Sequence, residues 1–284
     1  MNILFKYSMY LNKKALVKIY GGFGNQLFQY CFANYLKGKN ISVHINNYWF
    51  KSSNDKFSRK EIFSPEFYGF KEASRFNLKI YEYSDRYLKD NAKNIYSTYD
   101  DENYNNKVKG YLNYFIGIWQ DKKYLQDSQN FLIKHLSKNT TINKSLKKNN
   151  VNDSVMLHIR RENYVGEELH LDYYLNCIEY IKNKYGNDTT VNLFSDYSNI
   201  TKYKDLTDKV DTIKLPDNNN SDDTLITFSK MLENEHFIIS NSTYSYMAAL
   251  IKNNKNNTIL MPKPWMINKK NKNLSLSGFT EIER

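Results

Sequence analysis

Apolar positions along this chain fall into two rhythms. Short apolar runs alternate with stretches in which apolar residues recur every third or fourth position, the marks of buried strands and amphipathic helices. Ala15–Tyr20 reads as a strand that runs into Gly21-Gly22-Phe23-Gly24. A helix from Asn25 to Lys37 follows, with Leu27, Cys31 and Tyr35 on one face and Gly38 placed to end it. Ile41–Ile45 and Val108–Asn113 read as strands and Asp121–Leu136 as a helix, while residues 46–106, rich in Tyr, Ser and Asp, show no clear period. Lys138–Asp153 is polar nearly throughout and reads as a linker.

Beyond that stretch the rhythm becomes regular. Strands are predicted at Ser154–Ile159, Thr190–Ser195, Asp211–Leu215, His236–Ser240 and Thr258–Met261, with helices at Asp172–Lys184, Ser221–Leu232 and Ser242–Ile251. Alternating strands and helices of this length imply a parallel sheet covered on both faces. The expected fold class is therefore α/β, in two Rossmann-type halves, 1–150 and 151–284, facing each other across a cleft.

Composition narrows the function. The chain is 15% aromatic, with 4 Pro and 10 Gly, which excludes wholesale disorder and collagen-like repeats. Two cysteines exclude a disulfide scaffold and a zinc cluster. The net charge of +11 raises the prospect of nucleic-acid binding, yet only six of the 41 basic residues are Arg and no RNA-binding or helix-turn-helix signature accompanies them. Nucleic acid is therefore not the expected partner, although a basic surface suits an anionic substrate or an anionic membrane face. No apolar run is long enough to span a membrane, and the first ten residues lack a signal-peptide pattern. A cytoplasmic protein, in peripheral contact with the inner face of the plasma membrane, is expected.

Four segments carry candidate chemistry. Gly21-Gly22-Phe23-Gly24-Asn25-Gln26 is a strand–turn–helix start that either lets a ligand approach backbone N–H groups or simply needs a tight turn. It lacks the third Gly and the later acid of a dinucleotide fingerprint. His158-Ile159-Arg160-Arg161 ends a strand, the place where ligands sit in open α/β sheets, and Arg offers a planar fork for phosphate oxygens. Phe194-Ser195-Asp196 ends another strand, and its carboxylate could accept from a base or ribose, or cap a helix. Ser240-Asn241-Ser242-Thr243 caps a helix whose N-terminus is also a ready anion site. The histidines show no metal-ligand spacing with acids or Cys.

Taken in order, these segments resemble the α-1,2-fucosyltransferases of glycosyltransferase family 11. The family's GGLGNQMFQYAF-like opening is matched by Gly21–Phe32. Its HIRRGDY-like motif is matched by His158–Tyr164, its FSDD-like segment by Phe194–Tyr197, and its SNSTFSWWAA-like segment by Ser240–Ala249. The resemblance implies a GT-B-like, inverting transferase that uses GDP-β-L-fucose without a metal, Arg160 and Arg161 taking the place of a cation. It implies donor contacts from Gly22, Gly24, Asn25, Gln26, His158, Arg160, Arg161, Asp196, Asn241, Ser242 and Thr243, and a catalytic group of His158, Arg160 and Glu168. The N-terminal half would hold a glycan or lipid-linked oligosaccharide acceptor and the C-terminal half the GDP-sugar. Glu162, His170 and Asp172 stand beside Glu168 as alternatives for the base. Three departures stand out: Asn163, which cannot ionise, stands where the family has Asp and bears on activity, while Tyr197 in place of the second Asp of FSDD and Tyr246-Met247 in place of the Trp pair bear on the donor sugar. Another GDP-deoxysugar remains an alternative donor.

Overall fold

The computed structural model describes residues 13–52, 55, 59–74, 96–101, 104–105, 107–108, 112–148, 153–160, 166–196, 200, 203–215, 223–267 and 273–284. Two compact units emerge, Met1–Ser128 and Gln129–Arg284. Each contains one sheet in which every described strand pair is parallel. No helix among the described residues is long and apolar enough to cross a membrane.

The first unit is built around β1 (Lys14–Lys18), followed by α1 (Phe23–Gly38), β2 (Ser42–Asn46), the short α2 (Trp49–Ser52), β3 (Lys71–Glu72), β4 (Tyr96–Tyr99) and β5 (Leu112–Phe115). Strand order is β3-β2-β1-β5-β4, so the chain steps outward from β1 on one side and returns on the other. Three residues of β1, Ala15 to Val17, are buried, as expected for a strand covered on both faces. Helix α1 buries eleven residues and ends at Gly38 itself, with Asn40 rather than Gly38 taking the left-handed backbone. Phe32 of α1 stacks on Trp119 (centroids 3.9 Å apart, planes 7° apart) and meets Tyr104, Phe115 and Tyr124 edge-on. This aromatic cluster is the centre of the unit.

The second unit begins earlier than residue 150. Helices α3 (Ser128–Leu136) and α4 (Thr140–Lys147) precede β6 (Ser154–Ile159). Half of the expected linker, Thr140–Lys147, is therefore helix. Asn139 caps α4, its Oδ1 accepting from the N–H groups of Thr141 and Ile142, each at 3.1 Å. Ser145 and Lys148 both bind the Glu233 carboxylate, and Gln129 of α3 donates to the carbonyl of Ile251 at 3.2 Å. These contacts attach residues 129–148 to the C-terminal sheet and correct the expected boundary. Polar side chains misled the reading, since a helix that buries only Ile142 and Ser145 leaves little apolar rhythm.

After β6 come α5 (Leu171–Tyr185), β7 (Thr190–Ser195), α6 (Lys204–Thr207), β8 (Thr212–Lys214), α7 (Asp223–Leu232), β9 (His236–Ile238), α8 (Thr243–Lys252), β10 (Ile259–Lys263) and β11 (Phe279–Glu283). The order is β11-β10-β9-β6-β7-β8. Strand β11 has no counterpart in the predicted elements because it is an edge strand of mostly exposed, polar residues. On β6, Val155, Leu157 and Ile159 pack with Tyr173, Cys177, Ile178 and Ile181 of α5. Because side chains alternate along a strand, His158 points to the opposite face. The Tyr173 hydroxyl donates to the carbonyl of Ile239 at 2.7 Å, which fixes α5 against the end of β9.

Candidate active site

The chain leaves β6 toward β7 and β8, then crosses back to lay β9 on the other side of β6. The order of strands thus reverses between β6 and β9. In open α/β sheets the crevice outside the carboxyl ends of the strands at such a reversal is where ligands bind. His158 and Arg160 lie at the end of β6, Asp196 follows β7, and Ser240–Thr243 follow β9. Residues of three of the four expected segments are therefore brought to one edge of one sheet.

His158 spans the reversal. Its Nδ1 lies 2.8 Å from Ser240 Oγ, and only 4% of the residue is exposed. Burial, helped by the Arg160 charge, pushes its imidazole down to about 3. It is therefore neutral at physiological pH and too weak a base to take a proton from an incoming hydroxyl. Its contact with Ser240 makes it a strut between the two strand ends. Linkage gives a test. Unfolded, His158 binds a proton below about 6.5, whereas folded it does not until about 3. Stability is then fully present above the unfolded value and falls as pH drops, by up to ~1.4 kcal/mol per unit from this residue. The urea midpoint should fall between pH 7.5 and pH 5, and His158→Gln should flatten that fall. An unchanged slope in the variant would show that His158 does not carry it.

Arg160 Nη1 pairs with Asp196 Oδ2 at 2.9 Å. Asp196 thus aims the guanidinium from the neighbouring strand, as the pairing of Ile159 with Ser195 requires. Ser242 caps α8, accepting from the Tyr244 N–H at 3.4 Å, and no acid lies in the helix's first turn. The partly exposed Thr243 opens that turn. A guanidinium and an acid-free helix N-terminus at one sheet edge form an anion-binding pair. Arg161, with Glu162, Asn163 and Tyr197, lies outside the described residues.

Asn241 is buried, and its Nδ2 donates to the Glu167 carbonyl at 2.7 Å. It ties the turn after β9 to the segment that follows Arg160. Glu168 is partly exposed on the same edge. His170 and Asp172 are engaged elsewhere: they pair at 3.0 Å at the start of α5, both largely in solvent. Of the acids and bases considered for proton transfer, Glu168 is the described one left on the ligand edge.

The glycine turn belongs to the first unit, where the strand order reverses between β1 and β5. Gly21 has φ +81°, so the turn needs glycine there. A Cβ on Gly22 would meet nothing within 4 Å, which leaves open space beside the turn. Asn25 is partly exposed, whereas Gly24 and Gln26 are buried. The Gln26 Nε2 donates to the carbonyls of Gly21 (3.0 Å) and Lys60 (2.8 Å), and its Oε1 accepts from Ile62 N–H at 3.2 Å. Gln29 accepts from Tyr20 N–H and donates to the Gly117 carbonyl, each at 3.0 Å. These amides hold the strand ends in place, so Gln26 is placed to shape the turn rather than to meet a donor.

Three functional-edge residues escaped the sequence reading: Ser240 as the partner of His158, Glu167 as a buried acid, and Arg284. The scarcity of Arg could have flagged Arg284, one of only six in a Lys-rich chain.

The family model described as Glycosyl transferase family 11 matches residues 56–275. An Escherichia coli α-1,2-colitosyltransferase is 25% identical over 275 residues, covering 88% of this chain and 92% of that protein. The Arabidopsis thaliana FUT1 mutant in complex with GDP shares the fold with a TM-score of 0.52 at 9% identity, covering 93% of this chain and 76% of that one. The fucosyltransferase NodZ from Bradyrhizobium aligns with a TM-score of 0.46 at 11% identity, over 85% of this chain and 94% of that one. The fold is α/β and GT-B-like.

Proposed function

The chain belongs to glycosyl transferase family 11, and from that premise we propose that it moves L-fucose from GDP-β-L-fucose, with inversion, to the 2-hydroxyl of a galactoside. The acceptor is a glycan or lipid-linked oligosaccharide of an O-antigen or other surface polysaccharide, met at the cytoplasmic face of the inner membrane. The observation that carries this reading is the placement of Arg160 and the start of α8 at the strand reversal of the second unit, where they are suited to a pyrophosphate.

In this mechanism the acceptor oxygen attacks the anomeric carbon from the face opposite GDP. The bond from that carbon to the β-phosphate oxygen breaks, and its electron pair leaves with GDP. Arg160 and the N–H groups of α8 stabilise the charge that grows on the pyrophosphate. Glu168 receives the acceptor's proton. Asp196 and His158 hold the guanidinium and the helix start in register. The cationic work falls to Arg160, so no metal is required.

A second donor has its own support. The Escherichia coli relative is named for colitose transfer, and colitose is fucose without its 3-hydroxyl. Thermal shift with GDP-fucose, GDP-colitose, GDP, UDP-sugars and CMP-sugars, with and without EDTA, decides between them, followed by turnover on β-galactosides. GDP and its deoxysugars should stabilise the protein most, with EDTA making no difference. Equal stabilisation by all nucleotides, or an absolute need for Mn²⁺, would sink the proposal. A larger shift and faster turnover with GDP-colitose would transfer it to that sugar.

A further inference from the structure

Four segments that follow four different strands meet at Glu167. The residue itself stands beyond β6 and is 7% exposed. From the turn after β9, Asn241 Nδ2 donates to its carbonyl at 2.7 Å. From the segment after β10, the Ile267 N–H donates to its Oε2 at 2.8 Å. From the end of β11, Arg284 reaches it twice: Nη2 donates to its carbonyl at 2.8 Å, and Nη1 lies 3.5 Å from Oε2. The same Nη2 also donates to the carbonyl of Glu168 at 3.2 Å.

The chemistry of this knot is specific. A guanidinium has several donors in a fixed plane, so one Arg can hold two successive carbonyls and a carboxylate at once. Both side chains of the pair are nearly buried, at 6% and 10% exposure, so solvent does not compete for those bonds. What is gripped is the backbone of residues 167 and 168, not the Glu168 side chain. Glu168 is left partly exposed, on a backbone whose freedom has been reduced. Its anchor, Asn241, sits next to the Ser242 cap of α8.

We infer that Arg284 and Glu167 are positioning residues for the transfer step, fixing the backbone that carries Glu168 relative to the turn that begins α8. The inference rests on the reading of Glu168 as the proton acceptor. A base displaced by about 1 Å can cost on the order of 100-fold in rate, so a grip of this kind acts on kcat rather than on donor affinity.

The test uses the full chain with GDP-fucose as donor and p-nitrophenyl β-galactoside as acceptor, and calorimetric titration with GDP. Glu168→Gln should lower kcat by about 10²–10⁴-fold. Arg284→Met keeps the apolar stem and removes the donors. It should lower kcat by about 10–100-fold while GDP affinity stays within about twofold, a split that general unfolding would not produce. Combined with Glu168→Gln, it should cost nothing further, because no base remains to be placed. Arg284→Lys should restore part of the rate. Should Arg284→Met fail to fold, Arg284→Met with Glu167→Gln removes the uncompensated charge and should show the same kcat loss. Additive losses with Glu168→Gln, parallel losses of GDP binding, or an unchanged kcat would overturn the inference. A Glu168→Gln enzyme with near-normal turnover would instead overturn the assignment of the base.

Discussion

Arg160→Ala should abolish measurable transfer and weaken GDP binding by ~1.5–3 kcal/mol, the usual worth of a hydrogen bond to a charged group, or about 10–150-fold. Two effects combine. The pyrophosphate loses its bidentate donor, and Asp196 loses the cation that faces it at 2.9 Å, leaving a carboxylate to repel the incoming phosphates. Arg160→Lys should recover little, because an ammonium cannot reproduce the planar fork. Replacing Asp196 by Asn in the Arg160→Ala background should return part of the GDP affinity by removing that repulsion. GDP titration and turnover for the three variants measure both effects. Near-normal turnover in Arg160→Ala would place the pyrophosphate elsewhere.

The largest effect on stability is expected in the first unit. Phe32 is fully buried and meets five other rings, lying 3.9 Å from Trp119 and 4.9 Å from Tyr124. Phe32→Ala removes the middle of this stack and leaves a cavity that rigid neighbours cannot fill, at a cost of about 3–5 kcal/mol. Urea unfolding followed by circular dichroism should show the loss. A loss under about 1 kcal/mol would mean that the rings collapse into the vacated space.

The sequence was most legible where burial is complete. Strand β6 and strand β7 fall at the predicted residues because a strand buried on both faces is a continuous apolar run, and β6 is buried from Val155 onward. Helix α1 was legible for the same reason. Reading failed where polar side chains carry the structure. Helix α4 is held by an Asn cap and by Ser145 and Lys148 on Glu233, none of which leaves an apolar period. Asp121–Leu136 is a 3₁₀ turn at Lys122–Tyr124 and a separate helix from Ser128, since Asp121 caps the first and Asp127 interrupts with positive φ.

The strand-end segments of the candidate site were legible as such, the contacts of their side chains only in part. Arg160 and the turn after β9 were marked by residue type at strand ends. That His158 would be a neutral strut and Gln26 a clamp on residues 60–62 depends on which atoms meet, and sequence spacing does not encode that. Glu167 and Arg284 are 117 residues apart in the chain, so nothing local links them.

The three tryptophans are spread in a way that suits optical work. Trp119 lies flat on Phe32 in the first unit, and Trp265 lies edge-on to Tyr246 in the second, each almost wholly buried. Trp49 is partly exposed beside Phe50. Selective excitation of indole therefore yields one shielded emitter per unit, and replacing Trp49 together with either buried Trp by Phe leaves the other to be followed alone. Emission from Trp119 then reports the melting of its own unit. Emission from Trp265, two positions before the amide that binds Glu167, reports the loosening of the strand ends around Glu167. Whether both signals shift at one denaturant concentration or at two measures directly how far the units depend on each other.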